Sequence, residues 1–445
     1  MTHPLEPFAT PPGWKPENDA PPPDEGAFAH SHDPALDTGV DYSGPYETPY
    51  DGIGEAVRRH ASALDGAGIP VFLTTSGGLR GRRYQDLEPH VRKRIDPLTI
   101  CRYKAPLLRV FHAILGRSTI HRAVFPRSQI ELKPGELRRL QQTTIVMTVH
   151  ERLAPDPELR DLAKLLNLVA EVWVPCSRNR RVLIDSGVAQ DRIHVVPHPY
   201  DPDDLPLFDQ GLRQAKQLDS PGRPFQFFNC GKWEPRKGQH ELIGAFLQAF
   251  SPVNNVRLAL KTSAFGKWKE YSEGPVQSVL YWLERDVVKA RGWTYQNAQR
   301  AFTFIIDSVP RETLVAMHCQ SDCYVSASRA EGFDLPAFDA KLAGKRMVYV
   351  RSGGPEDFST SGDIAVESTP LDAVNPQYNW EGAKWSGHTV EALRDALLQA
   401  VLQRGVSTER TIPSKYSPES VGALMRSRVE AVLSRLGEEP ADAKR

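Results

Sequence analysis

Cysteine is scarce: five in 445 residues. An odd, sparse count in a long chain argues against a disulfide framework and predicts reduced thiols in a cytoplasmic setting. No run of about 18 apolar residues occurs, so no membrane-spanning helix is expected. The opening stretch from Met1 to Trp14 has neither a basic start nor an apolar core, and no secretory leader is expected from it. Net charge is missing as well. The 55 Lys and Arg balance 55 Asp and Glu, which excludes a globally basic nucleic-acid coat or an acidic tail protein but leaves room for a local patch. A G-x-S-x-G elbow is absent, which disfavours a Ser–His–Asp hydrolase. What remains is an ordinary globular composition, 40% hydrophobic and 25% charged. At about 100–200 residues per domain, the length predicts two or three domains, each able to bury its own core.

Residues 1–34 carry nine prolines and almost no aliphatic side chains. Such a segment buries too little apolar surface to offset its ordering entropy, and it reads as a solvated tail. From about residue 35 the pattern alternates. Gly52 opens an amphipathic helix with Ile53, Val57, Ala61 and Leu64 on one face. Strands are expected at 69–75, 143–149, 171–175 and 192–197, with helices at 159–170 and from an N-cap at Ser177. The polar, Pro-rich stretch at 202–222 reads as a break between a domain at 35–205 and another at 222–410. The second half restarts the alternation, with strands at 224–230, 256–261, 301–306, 322–326 and 345–350. A final helix at 415–438 is expected to cross back to the first domain. Strands separated by helices in both halves predict an α/β chain with two Rossmann-like parallel-sheet domains. Ligands in such sheets sit at the carboxyl ends of strands, against helix N-termini, which for a two-domain pair points to a central cleft.

Two stretches carry chemistry. In the first, Gly231-Lys232-Trp233-Glu234-Pro235-Arg236-Lys237-Gly238, a turn with three cations lies between a strand and a helix. It could cradle a diphosphate, although its spacing is not that of a Walker loop. In the second, Glu331 stands before Gly332 in a loop that opens a helix at Pro336, and Asp339 follows eight residues later. A carboxylate there can accept hydrogen bonds from sugar hydroxyls, near the free N–H groups of a helix start. The structural reading, a loop carboxylate and a helix-dipole Asp, stands level with it.

Together these stretches resemble the nucleotide-sugar domain of retaining GT-B glycosyltransferases of family four. That family reads Gly-Arg-x4-Lys-Gly in the first element and Glu-Gly-Phe-Gly-Leu-Pro-x2-Glu-Ala in the second. The resemblance extends to Pro175-Cys176-Ser177-Arg178-Asn179, Ser186-Gly187-Val188, the run Ile193 to Asp201, and Gly52-Ile53-Gly54, and spans roughly residues 45–436. It implies that Lys237 and Lys232 hold the donor phosphates, with Arg236 sharing that grip. Lys232 stands where the family has Arg and lacks its bidentate fork. It further implies that Glu331 faces the donor sugar and that Asp339, one methylene shorter than the family's Glu, faces the ribose. The amides of Gly332, Phe333, Asp334 and Leu335 would contact sugar and phosphate, with Asp334 replacing a Gly. Val309, in Ser308-Val309-Pro310, would lie beside the base. His150, after a strand, resembles the family's His near the sugar, with a buried structural His as the other reading and His121 as a weaker competitor. Gly52 and Gly54 would let the backbone approach the phosphates. No cofactor or metal is implied. Asp201-Pro202-Asp203 matches the D-x-D metal motif of another glycosyltransferase fold but falls in the break, and His318, Cys319 and Cys323 read as buried structural groups.

Between Gly77 and Leu140 stand 15 Lys and Arg against 5 Asp and Glu. Arg80, Arg82, Arg83, Arg92, Lys93, Arg94, Arg138 and Arg139 stand out. Two readings stand level: an anionic acceptor or peripheral contact with the inner membrane face, and a solvated surface. No aromatic-rich RNA motif points to nucleic acid. The expected activity is retaining, metal-independent transfer of a hexose from a UDP- or GDP-linked sugar to an acceptor such as an anionic lipid or polysaccharide precursor. The alternative is a degenerate GT-B module that binds nucleotide or glycan without turnover.

Overall fold

The computed structural model describes residues 40–45, 52–69, 71–74, 108–114, 134–263, 274–306, 308–374, 381–404, 410 and 413–437. The tail at 1–34, His121 and the cations Arg80, Arg82, Arg83, Arg92, Lys93 and Arg94 lie outside them. The chain forms two compact units. One gathers the described residues of Lys15–His150, Pro155–Pro202 and Pro413–Arg445; the other gathers those of Glu151–Ala154 and Asp203–Ile412.

In the N-terminal unit the strands are β1 (Val40–Ser43), β2 (Val71–Thr74), β3 (Leu108–Ile114), β4 (Thr144–Val149), β5 (Glu171–Val174) and β6 (Ile193–Val195). They form one parallel sheet in the order β2-β1-β3-β4-β5-β6. The helix Gly52–Gly66 lays Val57, Ala61 and Leu64 on this sheet. Beside it packs the last helix, Pro418–Gly437, whose Val421, Met425, Val429 and Val432 recur at helical spacing and enter the same core. Fully buried Glu171 ties that helix down: it accepts hydrogen bonds from Trp173 Nε1 at 3.0 Å, Arg435 Nη2 at 2.7 Å and the guanidinium of Arg428. The helix Ser177–Asp185 is capped by Cys176, not by Ser177: the Cys176 Sγ accepts from the Asn179 backbone N–H at 3.4 Å. Cys176, Cys230, Cys319 and Cys323 form no disulfide with one another.

In the C-terminal unit the strands are β7 (Phe225–Cys230), β8 (Val256–Lys261), β9 (Phe302–Ile305), β10 (Cys323–Ser326), β11 (Arg346–Val350) and β12 (Ile364–Val366). The parallel order is β12-β11-β10-β7-β8-β9, so the chain direction across the sheet reverses between β7 and β10. This is the Rossmann order, and the reversal is where such sheets open a crevice for ligands. A two-stranded antiparallel hairpin, β13 (Thr369–Asp372) and β14 (Lys384–Gly387), follows. The segment Glu151–Ala154 is fastened to that hairpin. The Leu153 N–H donates to the Lys384 carbonyl at 2.8 Å, and Trp385 Nε1 donates to the Glu151 carbonyl at 3.2 Å.

The stretch at 202–222, read as a polar, Pro-rich break between domains, is helical over most of its length. It holds the helix Leu205–Leu218, with Pro206 in the first turn, where its missing N–H costs nothing. Phe208 of this helix is fully buried, and Cys319 of the helix Arg311–Gln320 donates its thiol to the Phe208 carbonyl at 3.6 Å. Among the described residues no helix is long and apolar enough to cross a membrane.

Candidate functional site

The loops that follow β7 and β10 meet where the second sheet reverses. After β7 the chain passes through the short helical turn Pro235–Lys237 to Gly238 at φ 62°. A Cβ at Gly238 would lie 2.2 Å from the Ala327 carbonyl oxygen, so only glycine lets this loop press against the one after β10. Hydrogen bonds stitch the two together. The Arg329 N–H donates to the Arg236 carbonyl at 2.7 Å, and Arg236 Nη1 donates to the Ala330 carbonyl at 2.7 Å.

Glu331 leaves this loop on a fixed backbone. Its N–H donates to the Ser352 carbonyl at 3.0 Å, and Gly353, at φ 145°, comes so close that a Cβ would sit 1.9 Å from the Glu331 carbonyl oxygen. The Glu331 carboxylate is buried and accepts from Lys237 Nζ at 2.5 Å, with Arg236 Nη1 at 3.2 Å. Arg236 Nη2 also reaches Glu234 at 2.7 Å and Glu151 at 3.0 Å. Burial opposes ionisation of Glu331, but Lys237 and Arg236 outweigh it and hold the carboxyl below the usual glutamate range. Two unit charges about 4 Å apart at an effective dielectric of about 20 attract by about 4 kcal/mol, enough to decide that contest. Burial likewise opposes the charge on Lys237 and Arg236, and the carboxylates, Glu331 for Lys237 and Glu151 first for Arg236, raise both above their ordinary values. The three cations of the sequence motif therefore differ. Arg236 and Lys237 are ion-paired, while Lys232 is exposed and forms no ion pair with a described residue.

Gly332 and Phe333 are buried beside Glu331, and Phe333 packs against Phe338 and Phe358 with ring centroids 5.2 and 5.4 Å away. Asp334 stands at φ 69°, the left-handed backbone that glycine adopts most easily. Asp tolerates that conformation better than most residues. Its side chain caps the helix Leu335–Leu342, accepting from the Ala337 N–H at 3.4 Å, and accepts from Ser326 Oγ at 2.5 Å. Burial, with Glu331 adding to it, pushes the Asp334 carboxyl up to about 6. Asp339 lies just past the first turn of that helix and is buried. Both its oxygens accept from Arg311, which also binds Asp204 at 2.8 Å. Val309 is half-buried in the stretch leading into the helix Arg311–Gln320.

The other candidates belong to the N-terminal unit. Gly52 is exposed and Gly54 buried, and both lie inside the first turn of their helix. His150 follows β4 and is buried. Its N–H donates to Asn179 Oδ1 at 3.1 Å, its carbonyl accepts from Asn179 Nδ2 at 3.1 Å, and its Nε2 lies 3.2 Å from the Asn179 carbonyl oxygen. Deeper in the unit, Tyr42, His60, His112 and His198 form a buried polar chain. His60 Nε2 donates to the Pro197 carbonyl at 2.9 Å, which leaves its Nδ1 to accept from Tyr42 Oη at 3.1 Å. Tyr42 Oη then accepts from His112 Nδ1 at 3.1 Å. Burial holds His60 at about 4, and pushes His112 and His198 well below the ordinary histidine range.

The sequence reading did not single out Glu151, Glu234, Ser326, Arg311 or Asp204. Glu234 lies within the cation-rich turn and Glu151 directly follows His150, so adjacency was the only available signal. The ion pair of Arg311 joins residues 107 and 28 positions apart and leaves none.

No family model matches the chain, and no curated protein matches it by sequence. Solved structures do. Anabaena HepE, in complex with UDP and glucose, matches with a TM-score of 0.52 and 14% identity over 90% of this chain and 98% of that one. Sucrose-phosphate synthase from Thermosynechococcus elongatus matches at 0.52 and 15% identity, over 90% and 98%. An alpha,alpha-trehalose 6-phosphate synthase from Burkholderia multivorans matches at 0.56 and 13% identity, over 90% and 99%. The chain has the GT-B fold of two Rossmann-like domains.

Proposed function

We propose that this chain is a retaining glycosyltransferase. It moves a hexose from a UDP- or GDP-linked sugar to an acceptor, an anionic lipid or a polysaccharide precursor. The observation that carries the reading is the Glu331–Lys237 pair, 2.5 Å apart where the second sheet reverses. A buried carboxylate beside half-buried cations suits a ligand that joins sugar hydroxyls to a diphosphate. Solved structures of the same fold add support, since HepE has been crystallised with UDP and with UDP-glucose.

In this reading Lys237, with exposed Lys232 and Arg236, stabilises charge developing on the leaving diphosphate, helped by the amides of Gly332, Phe333, Asp334 and Leu335. Glu331 and His150 orient the sugar, and Gly52 and Gly54, lacking Cβ atoms, allow close backbone approach to the phosphates. Val309 lies beside the base. Asp339, bound to Arg311 through both oxygens, offers the ribose only its remaining lone pairs. The acceptor attacks from the face the nucleotide leaves, and a donor phosphate oxygen helps take its proton. The scheme invokes no metal ion. Exposed Arg138 and Arg139 belong to the basic region proposed to meet an anionic acceptor or membrane face.

A second reading, binding without turnover, is favoured by one observation: carboxylates already surround Arg236 and Lys237. Thermal melting with UDP, GDP, ADP and dTDP, each at about 1 mM, tests the donor site. Saturation at about 100 times the dissociation constant adds roughly 2.7 kcal/mol. A shift with one nucleotide names the base, and release of that nucleotide from its sugar conjugate separates turnover from binding. No shift with any of the four overturns the donor site.

A further inference from the structure

Arg236 faces three carboxylates, Glu234 at 2.7 Å, Glu151 at 3.0 Å and Glu331 at 3.2 Å, and Lys237 shares the last of them. Two cations against three carboxylates leave no charge on Arg236 or Lys237 spare for a diphosphate, and of the motif's cations only exposed Lys232 is without an ion pair to a described residue. A phosphate that takes Arg236 must displace a carboxylate, and the excess negative charge must be compensated. We propose that Glu151 is the group that gives way: it yields Arg236 to the donor phosphate and takes up a proton from the solvent as it does so. This rests on the donor-site reading above.

The surroundings of the three carboxylates single out Glu151. Glu331 is held by Lys237 as well as Arg236 and is the most buried of the three, with 7% of its side chain exposed. Glu234 lies in the same turn, two residues from Arg236, and moves with it. Glu151 is the most open, at 29%, so solvent can supply the proton. Its main chain is anchored through Trp385 independently of its carboxylate, so the segment stays in place when the ion pair opens. The charged groups that face it are Arg236, Glu331, Glu234 and Lys237. Loss of solvent, reinforced by Glu331 and Glu234 against the pull of Arg236, already pushes its carboxyl upward. A phosphate on Arg236 would remove that pull and add another negative neighbour.

Calorimetric titration of the full chain tests this. The nucleotide is whichever of UDP, GDP, ADP and dTDP raises the melting temperature. At pH 8 its terminal phosphate, with a pKa of about 6, is already ionised. HEPES and Tris differ in ionisation heat, so the difference in binding heat counts protons. Uptake of about one proton per nucleotide is expected, with affinity falling by up to about tenfold from pH 7 to pH 8. The Glu151→Gln variant should bind with little uptake and a flatter pH profile, while Glu234→Gln keeps the uptake. Binding heats that do not depend on buffer, or uptake unchanged in Glu151→Gln, overturn the assignment and leave the donor site standing. If Glu151→Gln does not fold, the unmodified chain still decides through its buffer dependence, and Glu151→Asp replaces it as the variant whose uptake must change. Absence of binding by all four nucleotides overturns the donor site and this inference together.

Discussion

Each unit buries a polar network, and the two are built on opposite principles. In the N-terminal unit Tyr42, His60, His112 and His198 are linked as neutral groups, with burial driving the imidazoles away from the charged form. In the C-terminal unit Glu331, Arg236 and Lys237 are held in their charged forms by pairing, and Glu151 and Glu234 join the network through Arg236. Neutral networks specify packing at low desolvation cost. Ion-paired ones cost more and are weak evidence for stability, so their presence needs another reason. That contrast suits the proposal, in which the first cluster holds the fold and the second meets a charged ligand.

The contrast can be broken most directly at Lys237. Lys237→Ala should lower nucleotide-sugar turnover by about 100- to 1000-fold, as loss of a group that stabilises developing charge does elsewhere. Stability should change by only about 1 kcal/mol in denaturant melts, because Arg236 still pairs with Glu331. A large stability loss with turnover intact would make the cluster structural. Acid sharpens the comparison from the other side. His60 titrates at about 4 in the fold against 6.5 when unfolded, so the unfolded chain takes the proton first as pH falls. The stability this imidazole contributes is complete above pH 6.5 and is lost as the pH drops towards 4. Between pH 7.5 and 5.0 it should cost the N-terminal unit about 2 kcal/mol, read from melting curves at the two pH values. Equal stability at both would mean the histidine chain is open to solvent. The smallest effect is expected at Asp334. Asp334→Gly loses a helix cap and relieves a left-handed backbone, two terms of about 1 kcal/mol that oppose each other. Its stability should stay within about 1 kcal/mol of the parent, while Asp334→Ala, which loses the cap and keeps the strain, should fall further. The reverse order would show that the capping bond carries no weight.

Much of the fold was legible because long periodic segments announce themselves. Phe225–Cys230, Val256–Lys261 and the helix Arg311–Gln320 follow directly from apolar runs bounded by turns. β1 and β3 did not. β1 has four residues and includes Asp41, and β3 places Arg109 and His112 among its apolar residues, so neither shows an uninterrupted pattern. At the site, Glu331 and Lys237 were legible through the resemblance. Their partners were not, because Glu151 comes to Arg236 only through the hairpin that holds its backbone. Asp334 was legible as an added charge. Its work as a cap in a glycine-like conformation needed the backbone angles. The helix Leu205–Leu218 was hidden by prolines that reside where helices tolerate them.

The last helix has a consequence for how the protein is made. Val421, Met425, Val429 and Val432 fill the core of the N-terminal unit, yet they leave the ribosome after every residue of the C-terminal unit. The half translated first is therefore the half completed last. While Asp203–Ile412 is being synthesised, the earlier sheet waits with the face meant for that helix uncovered.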